Sequence, residues 1–323
     1  MAIDATTRKV LELIFCYDRK RVNMVKAKRR LIAHYTTAET AMKILSGRSL
    51  WLRNAGVMND YSEVDYGRNI VYNVLRGPLL PRFKAALDGI GDGLHENVVR
   101  GYAESLNHAR EIFFLSSLSE HCVPEQYGRL SMWRAYGGPV AGVALLFKGD
   151  VIDLELDMDM ALSATPVLYG DETKFTREFE ILVHNLETSM DFLKSVDVDI
   201  VSNAMIALLQ TSMLGIKHAG FAEEREWRII HRPIHFPSDH VKARRCTLGG
   251  TPQTIYEVPF HNPDGGFDCL QLDLNELLFG IMIGPCAYPE TVFRAVRDEM
   301  EAAGIVDADK RIFNSGIPLR QQW

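Results

Sequence analysis

The chain has few cysteines and none of the spacings that bind zinc or build a disulfide framework. Its five cysteines are widely scattered: Cys16, Cys122, Cys246, Cys269 and Cys286. No Cys-x-x-Cys pair occurs, so the sequence indicates neither a structural zinc site nor a set of disulfide bonds. This usage is typical of a reducing compartment, and we expect a cytoplasmic protein.

Long apolar runs are also missing. No stretch approaches the ~18 apolar residues of a membrane span, and the acidic N-terminus lacks the apolar centre of a secretory signal. The net charge is −6, from 36 Lys and Arg against 42 Asp and Glu, which gives no overall attraction for nucleic acid. A basic run between Arg19 and Arg30 is either a solvated helix face or an anion-binding arm. We expect no membrane partner.

Several familiar catalytic motifs are absent. The sequence has no GxxxxGK[ST] loop, no GxGxxG after a strand, no GxSxG elbow and no HExxH helix. His231, His235 and His240 lie within ten residues of one another, but Pro233 and Pro237 break the regular spacing that a metal site on one element requires. We therefore expect no bound metal.

The apolar pattern that is present predicts an α+β fold, with strands interleaved among helices of mixed length. We found no linker and no repeat, so the chain is interpreted as one domain covering 1–323. Within it we predict an N-terminal helical arm at 1–30, a helical insertion at 78–107 and a helical pair at 172–219. The uniformly apolar segment Gly142–Phe147 is predicted to be a central strand.

Two predicted helix starts follow polar junctions. Leu31–Tyr35 is strand-like, and Thr36 with Glu39 forms a capping-box pattern for a helix that ends near Gly47. His34, Tyr35 and Thr36 lie at this junction, a common place for ligand contacts. Further on, Asp60 is predicted to cap a helix that reaches about Leu75, with Glu63 in its first turn.

The most unusual stretch is Phe221–Arg232, where a charged cluster runs directly into a β-branched strand. Burial of Trp227 and its apolar neighbours would draw Glu226 and Arg228 into the interior, where charges must be paired. We predict that Glu226 opens a strand ending at His231. Glu226 is either a functional carboxylate or the structural ion-pair partner of Arg228 or Arg225. Glu223 and Glu224 are interpreted as helix-end or loop charges, but they stay alternatives for the functional carboxylate; Glu226 is favoured because it opens the predicted strand.

Two further patches lie at predicted strand edges: the hydroxyl residues Ser116–Ser119, and Trp133 with Tyr136 on a short helix. Together with Glu226 they offer stacking rings, hydrogen-bonding groups and one carboxylate. That combination suits cleavage of a glycosidic bond, because a fixed negative charge stabilises the oxocarbenium-like transition state. Trp133 is equally consistent with a core position.

The order of several motifs resembles a bacterial family, domain of unknown function twenty-nine seventy-one. The motifs are HYT, a helix ending in ILSG, NDYSE, MWRAYG, GVALLF and EREWRI, and they cover about 31 to 284. A more distant resemblance is to the DNA-modifying toxin branch of the ADP-ribosyltransferase superfamily. It depends on a strand ending in His, a helix reading xxILxxG, a later strand ending in Ser and a late strand beginning with Glu.

The second resemblance implies a bent, split, mixed or antiparallel sheet that binds NAD without a Rossmann motif. It implies that His34 bonds the adenosine-side ribose and that Glu226 binds the nicotinamide ribose. Either Tyr35 or Tyr136 would stack on nicotinamide, and Trp133 competes with Tyr136 for the aromatic position.

Ser117 or Ser119 would support the glutamate, Thr36 belongs to the same NAD-binding set, and Arg225 and Arg228 are phosphate contacts or ion-pair partners. We therefore expect an NAD-dependent ADP-ribosyltransferase-like protein whose acceptor is a nucleic acid, a protein or a small molecule, in a toxin or phage-defence setting. The alternative is a non-catalytic protein that senses a nucleotide or phage product with the same cleft.

Overall fold

The computed structural model describes residues 4–57, 62–107, 112–153, 161–248, 250–260 and 273–318. Within these ranges the chain combines helices with a ten-stranded mixed sheet, in agreement with the predicted mixed class. The helices are α1 Ala5–Ile14, α2 Cys16–Ala27, α3 Ala38–Gly47, α4 Ser62–Leu75, α5 Leu80–Ile90, α6 Leu94–Asn107, α7 Leu130–Tyr136, α8 Glu172–Thr188, α9 Met190–Lys194, α10 Val198–Gly215, α11 Leu274–Leu277 and α12 Pro289–Ala302.

The strands alternate with these helices along the chain. They are β1 Leu31–Thr37, β2 Ser49–Asn54, β3 Phe114–His121, β4 Ala141–Phe147, β5 Leu162–Pro166, β6 Leu168–Tyr169, β7 Ile216–Lys217, β8 Glu226–His231, β9 Lys242–Leu248, β10 Thr251–Pro259, β11 Leu278–Cys286 and β12 Ile312–Asn314. The main path through the sheet is β12-β11-β4-β1-β3-β2-β10-β9, and β8 and β5 continue from β3. The pair β11–β12 is parallel, whereas β1, β2 and β8 all run antiparallel to β3.

The sheet divides at β3. Ser119 is paired with both Ala33 and Glu226, and Leu115 is paired with β2 and β8. Because a strand has only two edges, β1 and β2 must share the edge of β3 that lies opposite β8. They separate between Ser119 and Leu115, which gives the sheet a split at the middle of β3.

The two sheet faces differ in what they bury. Ile32, Leu118 and Trp227 belong to the main apolar core on one face, to which α2 and α3 contribute. Since side chains alternate along a strand, the opposite face carries Ala33, Ser119 and Glu226. A smaller apolar cluster around Trp133 of α7 covers part of this second face.

A separate helical layer has its own core, formed mainly by α1, α4, α5, α6, α8 and α10. α10 lies at its centre, and half of its 18-residue window is buried in the protein. By length and composition alone α10 is apolar enough to cross a membrane, with a mean hydropathy of 1.3. Its burial among other helices is typical of a core helix.

Several predicted boundaries differ from those observed. Within the predicted N-terminal helical arm, the helix is interrupted at Phe15, whose ψ of 40° leaves the helical range. Thr37 rather than Thr36 caps α3, because its hydroxyl accepts from the Thr40 N–H at 3.2 Å. β4 is followed by a 3₁₀ turn, Gly149–Ile152. Asp60 lies outside the described residues.

Candidate functional site

β8 begins at Glu226 and ends at His231, as predicted. It is preceded by a 3₁₀ turn, Ala219–Glu224, and by Arg225, whose φ of 44° is in the left-handed region. This reversal places Glu226 in the sheet while Arg225 remains exposed, where its guanidinium contacts Glu125 at 2.9 Å. The local backbone therefore separates the two arginines that flank Glu226.

The Glu226 carboxylate is buried and bonded on both oxygens. Arg228 Nε donates to its Oε1 at 2.9 Å, and Arg228 Nη2 lies 3.3 Å from Oε2. Lys217 Nζ lies 2.8 Å from the same Oε2. Of the two arginines considered from the sequence, Arg228 is the ion-pair partner.

Two more carboxylates complete this charged cluster. Lys217 Nζ contacts Glu63 Oε1 at 2.9 Å and Glu224 Oε2 at 2.7 Å, so each ammonium proton has a carboxylate acceptor. Arg228 Nη2 reaches the other Glu63 oxygen at 2.7 Å. The five residues Glu63, Lys217, Glu224, Glu226 and Arg228 thus form one network of three carboxylates and two cations.

Burial and charge set the protonation states of the cluster. Burial alone would raise the pKa of Glu226, but the charges of Arg228 and Lys217 outweigh it and lower the pKa to about 2. The carboxylates in turn raise the pKa values of Lys217 and Arg228 against the effect of burial. Glu224 differs, because burial and the charges of Glu226 and Glu63 raise its pKa. The cluster therefore favours the ionised form of Glu226 and disfavours the ionised form of Glu224.

Two tyrosines lie beside the cluster. The Tyr169 hydroxyl accepts the backbone N–H of Glu226 at 2.8 Å, which fixes the start of β8. Tyr136, at the end of α7, is half-buried. Its pKa is raised to about 12, first by burial and then by the negative charge of Glu226. Tyr136 is therefore a partly exposed aromatic group within electrostatic range of the ionised carboxylate.

Ser119 connects the sheet to the turn that carries Glu224. Its hydroxyl donates to the Glu224 carbonyl, and Arg129 Nη1 contacts the same hydroxyl at 2.6 Å. Arg129 also donates to the carbonyls of Glu223 and Glu224 at 3.1 and 2.9 Å. These bonds hold the 219–224 turn against β3, so Ser119 supports the cluster through backbone contacts.

Ser117 is paired with Arg228 across β3 and β8, which places both on the Glu226 face. Among the residues that the structure describes, no hydrogen-bond partner is found for the Ser117 hydroxyl. The two serines therefore differ. The Ser119 hydroxyl bonds to the turn that carries Glu224, whereas the Ser117 hydroxyl has no partner among the described residues.

His34 occupies the split between β1 and β2. Its Nδ1 lies 3.0 Å from the Ser117 carbonyl oxygen, which can only accept, so Nδ1 carries the proton. Burial lowers the pKa of His34, which leaves a neutral ring whose Nε2 is an acceptor. Strand alternation puts His34 on the Ile32 face, opposite Glu226. The structure thus brings His34 of β1 into contact with the backbone of Ser117 on β3, but not to the charged cluster.

The other aromatic candidates are packing residues. Tyr35 and Trp133 are 4 % and 3 % exposed, and their rings meet edge to face at 4.7 Å. The Tyr35 hydroxyl accepts from the Arg129 N–H, while the Trp133 indole donates to the Tyr127 carbonyl. Thr36 is also buried. Of the predicted aromatic residues, Tyr136 is the one placed beside Glu226.

The cluster includes residues that sequence reasoning missed. The sequence predicts Glu63 at a helix start, leaves Glu224 as an alternative to Glu226, and gives no role to Lys217 or Tyr169. The one local signal for this cluster is Lys217, which ends the apolar run of α10 and Ile216. A lysine in such a run is expected to be buried, and a buried lysine requires a carboxylate partner. The described residues contain no group of three or more His, Cys, Asp or Glu side chains positioned to hold a metal ion.

Comparison with known proteins found one family model that matches part of the chain. Residues 132–229 match the family model described as protein of unknown function (DUF2971). This range runs from α7 to β8 and contains Tyr136, Lys217 and Glu226, but it is shorter than the 31–284 suggested by the motifs. No curated protein and no solved structure matches the chain. These comparisons give no support to the resemblance to ADP-ribosyltransferases, which stays a prediction.

Proposed function

We propose that the protein binds NAD on the sheet face that carries Glu226 and acts as an ADP-ribosyltransferase-like enzyme. In this proposal it cleaves the nicotinamide glycosidic bond and transfers ADP-ribose to a nucleic acid or protein, in a toxin or phage-defence setting. The observation that supports it most is the Glu226 carboxylate, which Arg228 and Lys217 keep ionised beside the half-buried ring of Tyr136.

The chemistry needs a fixed negative charge. When the bond between the ribose anomeric carbon and the nicotinamide nitrogen breaks, its electron pair leaves with nicotinamide. The ribose then carries positive charge as an oxocarbenium-like species, which an acceptor nucleophile attacks. A buried carboxylate of low pKa stabilises that charge without having to lose a proton first, and its hydrogen bonds fix its position.

Each remaining candidate has a role that follows from its position. Tyr136 would stack on nicotinamide. Ser119 would hold the 219–224 turn, which carries Glu224, against β3. The free hydroxyl of Ser117 would bond a ribose hydroxyl on the Glu226 face. His34 lies on the opposite face, so in this proposal the adenosine-side ribose would have to pass through the split between β1 and β2 to reach its Nε2. Arg228 would remain the partner of Glu226.

One observation favours a second candidate, a non-catalytic protein that binds a nucleotide or phage product at the same site. Both oxygens of Glu226 are already bonded to Arg228 and Lys217. A carboxylate held in this way is less free to approach a ribose. In this case the charged cluster would only shape the cleft.

Nicotinamide release from NAD separates the two candidates. We expect release by the wild-type protein and at least a hundredfold slower release by Glu226→Gln, because the substitution removes the stabilising charge. Glu223→Gln is the matched control, since Glu223 is exposed and bonded to Ser131, and it should release nicotinamide at the wild-type rate. NAD binding without release would favour the sensor, and the absence of both binding and release would contradict both proposals.

A further inference from the structure

A second candidate site lies between α2, α8, α10 and β5, next to the Glu226 cluster, because its wall residue Thr165 is paired with Arg228 across β5 and β8. It is a cavity of about 60 Å³ whose wall includes Asp18, Glu178, Thr165 and Ser212. Among the described residues that line it, the charged side chains are the two carboxylates, and no Lys, Arg or His is present. The cavity therefore presents negative charge without a cation of its own.

One carboxylate oxygen of Asp18 has no hydrogen-bond partner among the described residues of the wall. Asp18 is 4 % exposed, and the oxygen without a partner is Oδ1. The Thr165 side chain hydrogen-bonds to the carboxyl group. A buried carboxylate oxygen without a donor is costly, so a donor that enters the cavity would be favoured.

Aromatic rings complete the wall. Tyr17, Phe175 and Phe179 line the same cavity, and the last two lie 6.0 Å apart between ring centroids. Carboxylates with aromatic faces are the groups that proteins use to bind ammonium ions, through an ion pair and cation–π attraction. A cavity of this size holds a few water-sized groups, which limits the ligand to a short chain.

We propose that this cavity is a binding site for a small primary amine, with its ammonium group on Asp18 and its alkyl chain against the aromatic rings. The three ammonium protons match Asp18 Oδ1, the Thr165 hydroxyl and the Ser212 hydroxyl as acceptors. Glu178 on α8 adds a second negative charge at the wall. The proposal does not depend on NAD binding, although Thr165 of this wall is paired with Arg228 across β5 and β8.

Protonation of Asp18 should control binding. Burial raises the pKa of Asp18 to about 7, with the Thr165 hydrogen bond and the charge of Arg19 acting against it. Glu178 is the charged group that faces the cavity from α8, and Cys16 and Tyr17 are the other titratable groups in the wall. An ammonium ion requires the ionised form of Asp18, so the affinity should be about tenfold lower at pH 6 than at pH 8.

Calorimetric titration with propylammonium and with 1-propanol tests this proposal. At pH 8 we expect saturable binding of propylammonium and at least tenfold weaker binding of 1-propanol, which has the same chain without the charge. Asp18→Asn should bind propylammonium at least tenfold more weakly. Asp191→Asn, which changes an exposed carboxylate on α9, should bind as the wild type does.

A second variant keeps the test decisive if Asp18→Asn does not fold. Ser212→Leu fills the cavity from α10 and leaves the carboxylate in place, and it should also abolish propylammonium binding. Equal binding of propylammonium and 1-propanol would overturn the proposal. So would wild-type affinity in either variant, or the absence of saturable binding to the wild-type protein.

Discussion

At the scale of single residues, Glu226 is an ionised group inside the protein because Arg228 and Lys217 both contact its carboxylate. Its environment is the result of tertiary structure, since Lys217 and Glu63 reach it from β7 and α4. The sequence predicted that Glu226 opens a strand and pairs with an arginine. It did not predict Lys217, Glu63 or Glu224, because nothing in a single chain reveals which distant charges a fold brings together.

Glu226→Gln should destabilise the protein strongly. The substitution leaves Lys217 and Arg228 buried with less negative charge, and breaking a buried pair in this way costs ~3–5 kcal/mol. Since the folded pKa of Glu226 is about 2 against an ordinary 4.5, the stability that its ionised form contributes is present above pH 4.5. It is lost as the pH falls towards 2. Urea unfolding at pH 7 and at pH 3 measures both effects.

Glu224→Gln is the matched comparison, because Glu224 belongs to the same cluster and its pKa is raised by burial. Its removal leaves two carboxylates for two cations, so we expect a change of no more than ~1 kcal/mol. If Glu224→Gln were as destabilising as Glu226→Gln, the claim that the two cations stabilise Glu226 more than Glu224 would be wrong.

Asp18→Asn should alter how stability depends on pH. Because the folded pKa of Asp18 is about 7 and its ordinary value is 3.8, the stability it contributes is present below 3.8 and is lost as the pH rises towards 7. The wild type should lose up to ~1.4 kcal/mol per pH unit from this group in that window. Asp18→Asn should lack this slope, and a profile parallel to the wild type would contradict the assignment.

At the scale of elements, the approach of α4 to α10 places Glu63 in the cluster. Gly67 makes this approach possible, because a Cβ at this position would lie 2.1 Å from the Met213 carbonyl oxygen. Glu63 is one helical turn before Gly67, so displacement of α4 would move its carboxylate away from Arg228.

Gly67→Ala should therefore destabilise the protein by ~1–3 kcal/mol, although alanine is the better helix former. Gly101→Ala is the control, since its Cβ would meet the end of the Ile206 side chain at 2.6 Å, which can move aside. Thermal unfolding of the two variants compares them. A Gly67→Ala protein as stable as Gly101→Ala would show that α4 can shift without cost.

Apolar periodicity predicted most helices and strands but not every boundary. β8 and the first strand were located from their apolar runs, because such runs require burial. The break at Phe15 and the shift of the α3 cap from Thr36 to Thr37 were missed, since local propensities at adjacent residues are nearly equal. Tertiary packing decides between them.

At the scale of the whole molecule, the two predicted NAD contacts lie on opposite faces of the sheet. β1 and β2 share one edge of β3, and His34 of β1 contacts β3 at the split between them. Glu226 lies on the other face with Tyr136. The proposed NAD site therefore lies on the sheet face that α7 partly covers. Tyr136, which is partly exposed, is where this site is open to solvent.

Calorimetric titration of NAD into the wild type and Tyr136→Ala tests this central claim most directly. We expect the wild type to bind NAD and Tyr136→Ala to bind it about tenfold more weakly or worse, since one base–aromatic stack contributes ~1–3 kcal/mol. Tyr127→Ala, which removes an exposed tyrosine from the loop before α7, should bind as the wild type does. Wild-type affinity in Tyr136→Ala, or no NAD binding by the wild type, would contradict the account.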